Sequence, residues 1–226
     1  MTNEHIFCIL YMKIQSKWRK KRMLVKISLT NSKLGAVIPS VNLPAGITCR
    51  PDAPCQKGCY AKKGNWGYKN VKTSLSNNLE AYKNDSEAYF DSIISQLNND
   101  DITYKFFRWH SSGDIVDNDY LKGIIRVAEA CSQTKFLCFT KKFYLVNIYL
   151  DYNHTLPNNL KIVFSAWDKN FKVDNPYNLP VTYINFKDQT KNADIPEFAI
   201  PCVGKCYECK ACWSLEKGQS VVFNQH

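Results

Sequence analysis

The six residues "KFLCFT" at 135–140 offer an extended chain no polar face. Phe136 and Cys138 would point one way, Leu137 and Phe139 the other. A strand apolar on both sides is buried on both, the condition of a parallel sheet covered by helices rather than a sheet with one face in water. Helical patterns flank it. Asp117 can cap a helix whose stripe is Leu121, Ile124, Ile125, Ala128 and Cys131, and a second helix follows at about 141–150.

Working outward, "TYKFFRWH" at 103–110, "KIVFSAW" at 161–167 and "VTYINF" at 181–186 read as further strands, and "MLVKISL" from Met23 as another. Val71, Leu75, Leu79 and Tyr82 recur at helical spacing behind a capping Asn70. Tyr89, Phe90, Ile93, Ile94 and Leu97 do so behind Ser86. Strands alternating with helices predict an α/β fold, an open or incomplete parallel (βα) barrel of about five strands. An irregular Cys-containing loop stands near its N-terminus and a Cys-rich tail at its C-terminus. The expected organisation is a basic N-terminal extension at 1–22, an α/β domain at 23–200 and a metal-binding tail at 201–226.

The composition suits a folded domain: 226 residues, 45% hydrophobic and 13% aromatic, which excludes a disordered chain. No stretch is long and apolar enough to predict a membrane span, and the short apolar run at 6–12 precedes the basic residues, the reverse of a secretory signal. The expected compartment is a reducing cytoplasm. The net charge of +10 is uneven, with Lys13, Lys17, Arg19, Lys20, Lys21, Arg22 and Lys26 crowding the start. Nucleic acid is therefore a possible partner, although no RNP or helix-turn-helix pattern accompanies the charge; a solvated basic leader is the plainer reading.

Seven of the ten cysteines form two groups, Cys49-x5-Cys55-x3-Cys59 and Cys202-x3-Cys206-x2-Cys209-x2-Cys212. Clustered thiols in a reducing compartment point to a soft metal. The short steps of the second group resemble iron–sulfur loops more than zinc ribbons. Two closed four-thiolate sites would need eight ligands, so seven suit one complete [4Fe–4S] cluster in the tail and one with an open iron at 49–59. Zinc, held by the tail or by two cysteines of each group, is the alternative. Cys131 and Cys138 read as small core residues.

In parallel α/β folds chemistry gathers at the carboxyl ends of strands. Those ends carry His110, Ser111, Ser112 and Asp114; Thr140, Lys141 and Lys142; Ser165 and Asp168; and Lys187 and Asp188. His110, Asp114 and Lys141 are the catalytic candidates, with His110 as general base in a non-redox variant of the site. Each has a structural alternative: His110 as a hydrogen-bonded core residue, Asp114 as a turn residue, and the lysines as a solvated helix start.

"NSKLG" at 31–35, "LPAGITC" at 43–49, "CYAKKG" at 59–64, "RWHSSGD" at 108–114 and "CYECKACW" at 206–213 together resemble the phage gene product 88 family, over about 23–215. That likeness implies a phage or prophage source and a host bacterial cell, with no activity attached. A Cys loop after the first strand, followed by βα units, also resembles the radical S-adenosylmethionine enzymes. This second likeness implies that Cys49, Cys55 and Cys59 hold a [4Fe–4S] cluster whose fourth iron binds S-adenosylmethionine, cleaved to a 5′-deoxyadenosyl radical with electrons from a reductant protein. It implies that Ser112, Gly113 and Asp114 contact that cofactor, with Ser165 a further cofactor-binding candidate, and that Cys202, Cys206, Cys209 and Cys212 hold an auxiliary cluster. Here the spacing is wider than that family's C-x3-C-x2-C, and the aromatic, Tyr60, follows the last cysteine. The functional expectation is an iron–sulfur enzyme acting on a small-molecule or macromolecular substrate; the alternative is a zinc-stabilised phage protein that binds nucleic acid.

Overall fold

The computed structural model describes residues 25–29, 31–99 and 103–225. The basic extension expected at 1–22 lies outside them, as does Met23.

Among the described residues eight strands form one sheet in the order β1-β2-β3-β4-β5-β6-β8-β7. They are β1 (Ile27–Ser28), β2 (Ser40–Val41), β3 (Phe106–Trp109), β4 (Lys135–Thr140), β5 (Leu160–Ser165), β6 (Val181–Asn185), β7 (Ile200–Pro201) and β8 (Ser220–Asn224). β1 runs antiparallel to β2, and every other pair is parallel. The helices are α1 (Lys69–Asn84), α2 (Ser86–Leu97), α3 (Asn118–Ala130), α4 (Phe143–Asn153) and the short α5 (Cys206–Cys209). The α/β class and the mostly parallel sheet agree with the sequence. The pairing runs from β1 to β7 without returning to its start, and it includes strands at 40–41, 200–201 and 220–224 that periodicity does not predict.

Neighbouring strands follow one another in sequence from β2 to β6. Right-handed crossovers then put their helices on a single face. The core divides accordingly. Phe107, Trp109, Phe136, Cys138, Ile162 and Phe164 pack with α1 to α4. The opposite residues, Phe106, Leu137, Phe139, Val163, Val221 and Phe223, pack with Leu34 and Ile38 and with the tail through Cys202, Cys206, Tyr207, Cys212, Trp213 and Leu215. The tail thus serves as the cover for the helix-free face. Trp213 fixes it there, its indole N–H donating to the Phe107 carbonyl at 3.0 Å.

Caps follow the chemistry of short carboxylates. Asp117 accepts from the Tyr120 amide at 2.8 Å, as expected. Asp85, not Ser86, caps α2, accepting from the Ala88 amide at 2.9 Å. Tyr68 rather than Asn70 stands at the N-cap of α1 and makes no side-chain cap. Where α2 meets α3, Phe90 lies against Gly123 so closely that a β-carbon there would fall 2.0 Å from the ring. The ring itself sits among Tyr82, Tyr89, Trp109 and Tyr120.

Candidate functional site

Two motifs far apart in sequence are zipped together at the carboxyl end of the sheet. Because β2 and β3 run parallel, the loop leaving β2, which carries Cys49, Cys55 and Cys59, meets the turn leaving β3. The Leu43 amide donates to the Ser112 carbonyl at 2.9 Å. The Ser112 hydroxyl donates back to the Leu43 carbonyl at 2.9 Å. Asn42 Oδ1 accepts from the amides of Ser111 (2.7 Å) and Ser112 (3.2 Å). Thr48 Oγ1 accepts from the Asp114 amide at 3.1 Å, and the Tyr60 hydroxyl donates to the Ser111 carbonyl at 2.5 Å. Gly113, at φ +85°, is the pivot; a β-carbon would meet Thr48 Oγ1 at 2.7 Å and Leu43 at 2.8 Å.

Asp114 ties this turn to the next strand. Its Oδ1 accepts from the Thr140 hydroxyl at 2.7 Å and the Ile115 amide at 2.8 Å, and its Oδ2 from the Lys141 amide at 3.0 Å. Burial pushes its pKa up, and these donors and the Lys141 charge oppose the rise. The Asp114 charge also reaches Cys49 and Cys55. Burial raises the pKa of both thiols. At Cys49 the Gly46 amide opposes it, donating to the sulfur at 3.3 Å; at Cys55 the opposing charge is Lys141. Cys49 also feels Cys55 and Cys59. The early trio therefore shares one electrostatic neighbourhood with Asp114, and Lys141 joins it at Cys55. Lys141 reaches over the Trp167 ring, 5.6 Å from its centroid.

His110 belongs to the core. It is 4% exposed, its Nε2 is 3.1 Å from the Tyr120 hydroxyl, and its ring packs against Trp109 and Tyr120. Burial first, then the Arg108 and Lys142 charges, lowers its pKa to about 3. The ring is neutral in the fold while an unfolded histidine titrates near 6.5, so acid favours unfolding in that window. As the pH falls from 6.5 towards about 3 this residue alone is expected to remove on the order of 1 kcal/mol of stability per pH unit. Urea unfolding at pH 7, 6 and 5 checks this against His110→Asn, chosen because asparagine tolerates the φ of +56°. The variant should lose that part of the acid slope; equal slopes would show that His110 takes up protons alike in the folded and unfolded chain.

Ser165 ends β5, its hydroxyl 3.5 Å from Thr182 Oγ1 on the neighbouring strand. Asp168 forms a bridge with Asn192 and accepts from the Asn170 amide at 2.9 Å. Asp188 caps a turn and pairs with Lys191 at 3.3 Å. Lys142, which burial makes easier to deprotonate, donates to the Val116 carbonyl at 2.7 Å.

The tail thiols come together as well. Cys202, Cys206, Cys209 and Cys212 line one cavity with Lys205 and Trp213. Burial lifts Cys212 to about 12, helped by the charges of Cys206, Cys202 and Cys209 and opposed by Arg108. Sequence reasoning overlooked Asn42, Thr48 and Arg108. The signal for Arg108 was a cation interrupting the aromatic run "FFRW". Its guanidinium lies over Phe139, 4.9 Å from the centroid, with Nε buried and unpartnered. Its charge acts on Cys206 and Cys212 and also on Tyr60, next to Cys59.

Seven soft donors in a group of three and a group of four suit a thiophilic metal or an iron–sulfur cluster in kind. As the side chains stand, no three His, Cys, Asp or Glu residues among those described are arranged to hold a metal ion. Among the described residues no helix is long and apolar enough to cross a membrane. No curated protein and no solved structure matches the chain. A family model described as Gene product 88 matches residues 13–215, which takes in both cysteine groups, the zipped turn and ten residues more of the basic leader than the motifs alone suggested. On that match the chain belongs to the gene product 88 family.

Proposed function

We propose that this chain is an iron–sulfur protein of the host cytoplasm with a reactive centre at Cys49, Cys55 and Cys59 and an auxiliary one in the tail, acting as a radical S-adenosylmethionine-like enzyme on an incompletely closed barrel. The observation that carries this reading is the joining of the early trio to the Ser112-Gly113-Asp114 turn by reciprocal hydrogen bonds at the carboxyl rim. A [4Fe–4S] cluster bound there would supply one-electron reduction of a sulfonium cofactor, fed by a reductant protein. The residues of the chain have separate tasks. Asp114 and Thr140 hold the turn against β4, which keeps the loop at the rim. Lys141, beside Cys55 and over Trp167, offers a cation to a carboxylate or phosphate of whatever binds. His110 supports from beneath as a neutral core residue. This is the core role that the sequence offered beside that of a base.

Anaerobic purification with iron, sulfide and zinc analysis tests the proposal. We expect brown protein containing iron and sulfide, about half of the iron lost in Cys49→Ser and a different half in Cys209→Ser. S-adenosylmethionine should perturb the spectrum of the wild type and of Cys209→Ser but not of Cys49→Ser. Colourless protein with stoichiometric zinc, refractory to reconstitution with iron and sulfide, would establish the zinc-stabilised alternative.

A further inference from the structure

The loop that holds the early trio carries a second feature besides its thiols. From 53 to 79 there is no aspartate or glutamate, while Lys57, Lys62, Lys63, Lys69 and Lys72 all fall within it. All five are exposed, and none has an ion-pair partner among the described residues. They are not spread along a solvated helix face. Lys57 and Lys62 lie in the 3-10 turns that contain or adjoin Cys55 and Cys59, at 54–58 and 60–62, and Lys63 follows directly.

Two features set this patch apart from ordinary surface charge. Lys69 and Lys72 occupy the first turn of α1, which has no acidic residue and no side-chain cap. A helix N-terminus is the positive end of the dipole and disfavours cations, so local stability does not account for lysines there. A bound anion would relieve that repulsion. The patch is also interleaved with aromatic surface. Tyr68, at the helix start, is 61% exposed, and Tyr60, in the turn after Cys59, is 53% exposed. Phosphate-seeking cations beside open aromatic faces are the combination that holds an unpaired strand, with charge along the backbone and rings against the bases. An acidic protein would use the lysines and leave the rings idle.

We infer that the surface around the Cys49–Cys55–Cys59 loop binds single-stranded nucleic acid and presents it to that centre. The first half of the inference stands on the patch; only the presentation to a reactive centre rests on the proposed function. Electrostatic binding releases about 0.7 counterions per neutralised phosphate on a single strand, so the contribution is readable as a salt slope.

The test uses the full-length protein as purified, with metal content measured on each preparation, and mixed-sequence single-stranded DNA and RNA oligonucleotides in fluorescence anisotropy across a salt series. The quadruple variant K62Q/K63Q/K69Q/K72Q should bind at least about tenfold more weakly at low salt, with a slope shallower by about three. Tyr68→Ala should weaken binding about tenfold with the slope kept. Unchanged metal content and circular dichroism show that the variants are folded. Binding that is absent in the wild type, or indifferent to the lysine changes, overturns the inference. Equal competition by polyglutamate together with no effect of Tyr68→Ala overturns it in favour of an acidic protein partner. Metal-free protein that still binds oligonucleotide in this pattern would refute the reactive centre while upholding the strand-binding surface.

Discussion

Gly113→Ala should lower stability by about 2–5 kcal/mol and detach the cysteine loop from the rim. Two costs combine. At φ +85° the backbone is in the region that an L side chain enters only under strain. The new methyl would also meet Thr48 Oγ1 at 2.7 Å and both Leu43 Cβ and the Leu43 carbonyl at 2.8 Å. The last contact is the more serious because it is with backbone that already accepts the Ser112 hydroxyl. Relief requires the loop at 43–48 to retreat, breaking the bonds that hold it. Urea denaturation measures the loss. Gly113→Asn separates the causes: asparagine tolerates a positive φ but keeps the clash, so it too should be destabilised. A fully stable asparagine variant would show that φ alone matters and that the loop has room to move.

Gly123→Ala is expected to cost about 2–4 kcal/mol in spite of alanine's better helix propensity. The β-carbon would fall 2.0 to 2.3 Å from three atoms of the Phe90 ring. That ring is 1% exposed and walled by four other aromatic rings, so it has no direction in which to swing. The helices would have to separate, and α3 carries Tyr120, the partner of His110. Phe90→Leu makes room at the price of a cavity. The double variant should therefore be more stable than the sum of the single losses implies, a coupling of the size expected for residues in contact. Strict additivity would mean that the helices part freely and that this contact does not set their spacing.

The middle of the sheet was legible because its strands are buried on both faces. "KFLCFT" is β4 residue for residue, and "VTYINF" differs from β6 only by its last residue. β2 escaped because a two-residue strand has no periodicity to detect, and its partner is set by the parallel neighbour rather than by its own composition. β8, "SVVFN", was hidden by the expectation of a metal-binding tail. The site divided similarly. Asp114 and the cysteine groups stand out because acid and thiol chemistry is conspicuous at any position. For His110 the rim and the core were both open from the sequence, since the direction of its ring depends on the φ of +56° and on Tyr120, ten residues later. Asn42 joins loop and turn through one side-chain oxygen, and no local pattern in "SVNLP" announces such a role.

The position of β8 has a temporal consequence. It lies between β6 and β7, so β7 has no neighbour until the residues at 220–224 arrive. At a synthesis rate of about 5–20 residues per second, the segment bearing Cys202 waits roughly one to four seconds after its own synthesis before the strand that anchors it has been made. The late thiols therefore dock last, whereas the early loop already has β3 and β4 to rest on. The two cysteine groups are thereby ordered at different stages of biogenesis, the early one with the centre of the sheet and the later one only after the last strand has joined it.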